Sequence, residues 1–492
     1  MHSLAEFYDL ILMRKWLGTI QFTNNEIVHS ADTLVEDLEC LHAYFLGEGL
    51  KHSDRVILNA SSSINSILSF IVLWKMGVVV IPIKPGQNYS SIVNDSRAHF
   101  FIDPDSKECN ELKLESRESS KFYFTSERVV TGVDLALIIY TSGSTGTAKG
   151  IMLSHNNVIS ALDAITDYLS INSTDRILST SPLSFDYGLY QLIFCLYKNA
   201  HMIVYQGMMQ PVKLVKVIDQ FGITILPVVP ATAIIFEKGL SVTTGDISNL
   251  RLITNTGGHL MQRCIDTYLS KLPYVNIVPM YGLTESKRVL YLPPDKIALK
   301  MGSVGIPMPG IEAKLFRREK LANKEIFKEV AYGEIGELFV RGESVMQGYV
   351  TSNGSGSKLY DGSYREDNWL STGDLFSQDE DGYFYFYGRE KDLIKQSGFC
   401  LYPNEIEEYL QKSSMVELAL VVLDYDRFEQ EVAHLIVKLK GNTSKSSFEK
   451  WISNNIEKDY RPNKISYTES FVFTDNGKLD KKAMLSFFEE VK

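Results

Sequence analysis

The sequence predicts an α/β protein: a large N-terminal domain of doubly wound α/β subdomains with a small antiparallel β lobe, followed by a small α+β C-terminal domain. Three observations predict it. Apolar segments of strand length alternate with segments of helical spacing from Leu34 to Val229, the pattern of parallel sheets covered on both faces. After about Met308 the strands shorten and glycine-rich turns separate them. The chain has 492 residues, and a single core stops growing at roughly 250 to 300, so at least two domains are required.

Taken in order, residues 33–50 carry Leu34, Leu38, Leu41 and Phe45 at helical spacing, and Arg55–Asn59 reads as a strand. A second apolar helix spans about Ile64–Met76, with a buried strand at Val78–Pro82. The alternation continues with a strand at Leu135–Tyr140, a helix at Asn156–Tyr168, a strand at His201–Tyr205, a helix at Val212–Gln220 and a strand at Ile223–Val229. Glu337–Arg341 and Tyr383–Tyr387 are the short strands of the antiparallel lobe, and residues 351–363 read as a flexible surface loop. The last hundred residues offer a helix at Pro403–Leu410 and strands at Leu418–Leu423 and His434–Leu439.

Composition narrows the class. Hydrophobic content of 45% and charged content of 22% are those of a globular chain. A formal charge of -10 argues against nucleic acid or an anionic membrane as the main partner, since either favours a basic face. The most apolar run, Ile67–Ile83, is interrupted by Lys75 and Gly77, so no membrane insertion is expected. Cys40, Cys109, Cys195, Cys264 and Cys400 are odd in number and lack metal-ligand spacing, which reads as reduced thiols in a cytoplasmic protein.

The segment Tyr140–Gly150, YTSGSTGTAKG, follows an apolar strand and precedes a helix-like run from Ser154. Its glycines and hydroxyl residues leave backbone N–H groups free to wrap phosphate oxygens, and Lys149 adds a cation. It is not a Walker A loop, because Lys149 stands between Ala148 and Gly150 instead of preceding Ser or Thr. The string resembles the phosphate loop of the adenylate-forming superfamily of acyl-CoA synthetases, peptide-synthetase adenylation domains and firefly luciferase. That resemblance implies ATP binding through Thr141, Ser142, Gly143, Ser144, Thr145 and Gly146, with Lys149 in the catalytic set.

Further stations of that superfamily follow in order. Gly257 and Gly258 resemble the segment lining the adenine pocket, where small residues let a flat base approach the backbone. In Tyr281-Gly282-Leu-Thr284-Glu285 the resemblance implies that the tyrosine packs on adenine, Thr284 meets the α-phosphate and Glu285 holds Mg²⁺. The same string out of context would be a helix start capped by Thr284. Asp374, in Ser371-Thr-Gly-Asp374, matches the ribose-binding carboxylate, and Arg389 would reach ribose and phosphate.

Lys391 matches the family's hinge, which divides the chain into an ATP- and acid-binding domain over 1–390 and a mobile C-terminal domain over 391–492. In one pose of that domain Lys478, within Thr474-Asp-Asn-Gly-Lys478-Leu-Asp480, would bridge carboxylate and phosphate. In the other, the face bearing Lys395 and Gly398 would turn inward and leave room for a pantetheine arm.

The substrate pocket matches two patterns at once. In Pro182-Leu-Ser-Phe185-Asp186, Phe185 stands where many acyl-CoA synthetases carry histidine, while Asp186 matches the adenylation-domain aspartate that pairs with an α-ammonium. Asp186 is equally readable as a helix cap, and His259 as a pocket residue or a structural histidine. The expected reaction is ATP-dependent activation of a small carboxylic or amino acid, with transfer to coenzyme A or to the phosphopantetheine of a separate carrier protein. Competing readings are a stand-alone amino-acid adenylating enzyme, transfer to an amine or oxygen, and a non-catalytic nucleotide-binding homologue. The presence of Lys149, Glu285, Asp374, Arg389 and Lys478 together speaks against the last.

Overall fold

The computed structural model describes residues 1–106, 129–141, 149–243, 245–321, 324–350, 369–396, 398–441, 443–474 and 477–489. The expected Ser142, Gly143, Ser144, Thr145 and Gly146 of the phosphate loop, and the patch 351–363, lie outside the described residues.

Two sheets organise the first part of the chain. In the smaller one, Phe100–Ile102, Arg55–Asn59, Val79–Ile83 and Leu135–Thr141 run parallel, and Lys149–Ser154 and Gly348–Tyr349 close one side antiparallel. In the larger one, Thr19–Phe22, His201–Val204, Arg176–Ser179, Ile225–Val228, Leu252–Asn255 and Asn276–Tyr281 lie parallel in that spatial order. Helices such as Ile64–Lys75, His155–Tyr168 and Asp186–Lys198 bury long apolar stretches against these strands. The run Ile67–Ile83 thus resolves into a buried helix, a turn at Gly77 with φ +67 and a buried strand.

Two findings go beyond the sequence reading. The segment Tyr140–Gly150 does not lead straight into a helix: Lys149–Ser154 is a strand, paired antiparallel with Thr141 opposite Lys149 and Tyr140 opposite Gly150. The antiparallel lobe is also continuous with the larger parallel sheet. Leu290–Tyr291 and Ser303–Pro307 join Asn276–Tyr281 edge to edge to Phe384–Arg389, Leu370–Gln378, Gly336–Gly342, Ile311–Leu321 and Lys324–Glu329 in one continuous sheet. That sheet is strongly rolled. Tyr281 and Asp374 lie four strand steps apart, roughly 19 Å on a flat sheet, yet the Tyr281 hydroxyl donates to Asp374 at 2.6 Å.

Beyond residue 393 the chain has a core of its own. Ile394, Leu401, Ile406, Leu410, Ala419, Val421, Leu435, Val437, Phe448 and Ile452 pack together around the sheet of Val416–Tyr425, Glu431–Leu439 and Lys464–Tyr467. Contact with the first part is made by Leu418, by the Arg263 guanidinium donating to the Glu417 carbonyl at 3.0 Å, and by the Ala231 amide donating to the Gly477 carbonyl at 3.2 Å. No described helix is long and apolar enough to cross a membrane.

Candidate active site

Asp374 anchors one end of the site. It is 4% exposed at the turn of Leu370–Gln378 and sits opposite Arg389 across the antiparallel pair. Arg389 Nε lies 3.2 Å from Asp374 Oδ1, and the Tyr281 hydroxyl donates to Oδ2. Burial raises the carboxyl above its ordinary range, while Arg389 and Tyr281 oppose that rise. The turn is held from below by Glu337, which accepts from the Ser371 hydroxyl and, at 3.1 Å, from the Gly373 amide. Phe376 and Phe386 back the Tyr281 ring at centroid distances of 4.9 and 6.1 Å.

Tyr281 ends its strand, and the chain then turns sharply: a Cβ at Gly282 would lie 2.0 Å from the Lys287 carbonyl, so only glycine fits. Thr284 and Glu285 are half-buried on this turn. The Glu285 carboxylate accepts from the Tyr349 hydroxyl at 2.8 Å, and the exposed Lys149 ammonium sits 5.2 Å from the Tyr349 ring centre. Buried Asn157 explains why these segments meet. It closes a capping box with Ser154, and its amide donates to the Glu343 and Val345 carbonyls at 2.7 and 2.8 Å. Met346 in turn donates from its amide to the Glu285 carbonyl at 2.7 Å.

Lys478 enters from the C-terminal part. Its Cε lies 3.6 Å from where a Cβ at Gly257 would stand, beside Val229 and Phe185. The lysine keeps solvent access along the cleft, but the surrounding chain depresses its ammonium; Asp186 opposes that effect, and Arg389 adds to it. Its turn is seated by Gly477, whose φ of +74 and whose would-be Cβ at 2.4 Å from Val229 Cγ2 both require glycine. Gly258 is constrained by Pro230, 2.7 Å from its would-be Cβ.

Asp186 is 7% exposed in the first turn of Asp186–Lys198, where Phe185 is the N-cap residue with no side-chain cap bond. It does not cap the helix. It faces Lys287, whose Nζ lies 3.9 Å from Oδ2 and whose ammonium burial pushes down to about 8. The His259 ring is exposed and lies 3.6 Å from Glu408 of the helix Pro403–Gln411.

Tyr281, Glu285, Asp374, Arg389, Lys478 and Asp186 therefore converge, whereas Lys395 is exposed and Gly398, with φ +87, has open space around it. Lys391 is exposed beside Asp392, which pairs with Lys481 at 2.9 Å. Sequence reading missed Asn157, Glu337, Lys287 and Arg288. The two cations had a visible signal in standing between the Tyr281–Glu285 string and the apolar Val289–Leu292.

The family model described as AMP-binding enzyme matches residues 22–350, about two thirds of the chain. The chain belongs to the AMP-binding enzyme family. Among curated relatives, the 4-coumarate--CoA ligase-like 6 protein of Arabidopsis thaliana is 26% identical over 441 residues, covering 87% of this chain and 75% of that protein. The putative acyl-CoA synthetase YngI of Bacillus subtilis (strain 168) is 30% identical over 348 residues, covering 70% of this chain and 61% of that protein. Among solved structures, ATP-bound MatB from Rhodopseudomonas palustris superposes with a TM-score of 0.81 at 22% identity over 100% of both chains. The AMP complex of the O-succinylbenzoate coenzyme A synthetase MenE from Bacillus subtilis does so at 0.78 and 19% over 97% of each. These two show a shared fold along essentially the whole chain. This family member is an AMP-forming ligase of the acyl-CoA synthetase type.

Proposed function

We propose that the protein couples a carboxylic acid to coenzyme A through an acyl adenylate. In the first half-reaction a carboxylate oxygen of the acid attacks the α-phosphorus of ATP, the bond from that phosphorus to the bridging oxygen breaks, and pyrophosphate leaves. In the second, the thiol sulfur of coenzyme A attacks the acyl carbonyl, AMP departs and the thiol proton passes to solvent. The observation that carries this reading is Lys478, reaching the cleft between Asp186 on one side and Asp374 with Arg389 on the other.

Each group then has a task. Asp374 would accept from the ribose hydroxyls, with Arg389 balancing its charge. Lys478 would bridge the acid and the α-phosphate, where developing negative charge needs a placed cation. Thr284 would donate to the same phosphate, and Lys149 would face the departing pyrophosphate. Glu285 suits Mg²⁺: it is half-buried, with one oxygen engaged by Tyr349. Among the described residues no group of three or more His, Cys, Asp or Glu could hold a metal ion. Mg²⁺ there would supply neutralisation of phosphate charge.

Lys395 and Gly398 would serve the thiol step after the C-terminal part rotates about Lys391. An α-amino acid fits less well than a plain acid, because Asp186 already faces a buried ammonium. The test is acid-dependent exchange of labelled pyrophosphate into ATP. Lys478→Ala should lower it by two to three orders of magnitude, about 3 to 4 kcal/mol. Normal exchange in that variant with the preferred acid would refute the assignment.

A further inference from the structure

Two buried cations are left unused by this chemistry. Lys287 and Arg288 are 1% and 5% exposed, and among the described residues Lys287 Nζ and Arg288 Nε have no hydrogen-bond partner. Arg288 donates from Nη1 to the Lys287 carbonyl at 3.0 Å. The Lys287 ammonium lies 5.3 Å from the centre of the Tyr190 ring, and the Arg288 guanidinium 4.9 Å from that of Tyr187. Those tyrosines are three residues apart on the helix Asp186–Lys198 and so share a face. Both cations therefore overlie the first turns of the helix that begins at Asp186.

Lys287 faces Asp186, which at 3.9 Å is too far for a hydrogen bond. Asp186 and Glu285 both act on the Lys287 charge, yet neither accepts a hydrogen bond from it, and buried cationic donors left without acceptors are expensive away from water. The Tyr190 hydroxyl beside them is likewise buried with no partner. Asp186 lies near enough to Lys478 to act on its charge, so this cluster borders the place where the adenylate would form.

We propose that Lys287 and Arg288 determine specificity by selecting an acid with a second carboxylate at the end remote from the reacting one. The remote carboxylate accepts from Lys287 Nζ and Arg288 Nε and supplies the missing acceptors. An amino acid's ammonium would instead meet two cations. The inference rests on the acid-activating reading and names the class of acid.

The full-length protein is assayed by pyrophosphate exchange with Mg²⁺ and ATP on matched acids: butanoate, 4-hydroxybutanoate and butanedioate, then benzoate and benzene-1,4-dicarboxylate. In at least one series kcat/KM for the diacid should exceed that of the monoacid by about tenfold or more, because a site built for a polar group rejects an analogue lacking it. Lys287→Met and Arg288→Met should shrink that ratio by about tenfold, mainly through KM for the diacid, and Lys287→Arg should keep most of it. Exchange with monoacids as good as or better than with diacids in both series, or a preference for the hydroxy acid over the diacid, overturns the proposal and leaves acid activation standing. So does an unmoved ratio in a folded variant. Exchange with no acid at all sinks the acid-activating reading together with this one. Where a variant fails to fold, the wild-type panel decides.

Discussion

Asp374 shows how a single residue is prepared for a ligand. Burial makes its charge costly, Arg389 and the Tyr281 hydroxyl make it tolerable, and Oδ1 still lacks a hydrogen bond among the described residues. Tyr281→Phe keeps the ring against Phe376 and removes the donor, so stability should fall by about 1 to 3 kcal/mol. A denaturant midpoint equal to wild type would show that the hydroxyl contributes nothing. Asp374 and Tyr281 were legible from two separate short strings, and in the second the local backbone dictates Gly282, as its 2.0 Å clearance shows. Lys287 and Arg288 were missed for the opposite reason: their position beside an apolar run was visible, but adjacent cations in a sequence read as a solvated face, and only tertiary packing buries them.

Among the elements, the helix Pro403–Gln411 carries both a contact to the first part, through Glu408, and an unusual acid. Glu407 accepts from the Val421 amide at 2.7 Å, and burial raises its carboxyl to about 7, with Lys481 opposing. Its folded pKa is thus above the ordinary 4.5 of a glutamate, so between pH 4.5 and about 7 the folded state holds a proton that the unfolded chain releases. That contribution to stability is fully present below 4.5, declines as pH rises to about 7, and levels off above. Glu407→Gln should abolish the decline and raise the melting temperature above pH 7 but not near pH 4.5, which thermal scans across that range would read. Elements with strong periodicity were placed well from sequence: the Arg55–Asn59 strand matches, and the helix expected at Val212–Gln220 runs Pro211–Gln220. Lys149–Ser154 was missed because its apolar run adjoins a helix and its partner strand is specified only by pairing.

At the scale of the whole molecule, the nucleotide end of the site exists only because the large sheet rolls until Asn276–Tyr281 and Leu370–Gln378 face each other. No local signal in the sequence announces that closure, so the antiparallel lobe was legible while its joining to the parallel sheet was not. A fragment of residues 1–390 retains the closing strands Leu370–Gln378 and Phe384–Arg389 and should unfold in one cooperative transition. A fragment of residues 1–350 lacks both, leaves Gly336–Gly342 as an open edge and should associate. Urea unfolding and size-exclusion chromatography distinguish them. Failure of 1–390 to fold alone would count against dividing the chain there.

The same closure has a price during synthesis. Tyr281 and Asp374 are 93 residues apart, so a ribosome adding about 5 to 20 residues per second takes roughly 5 to 20 s to bring the second after the first. For that interval the nascent chain offers a half-rolled sheet with an unpaired rim. Chaperone supply and codon tempo over 281–389 should therefore govern the yield of active protein more than the stability of the finished fold does.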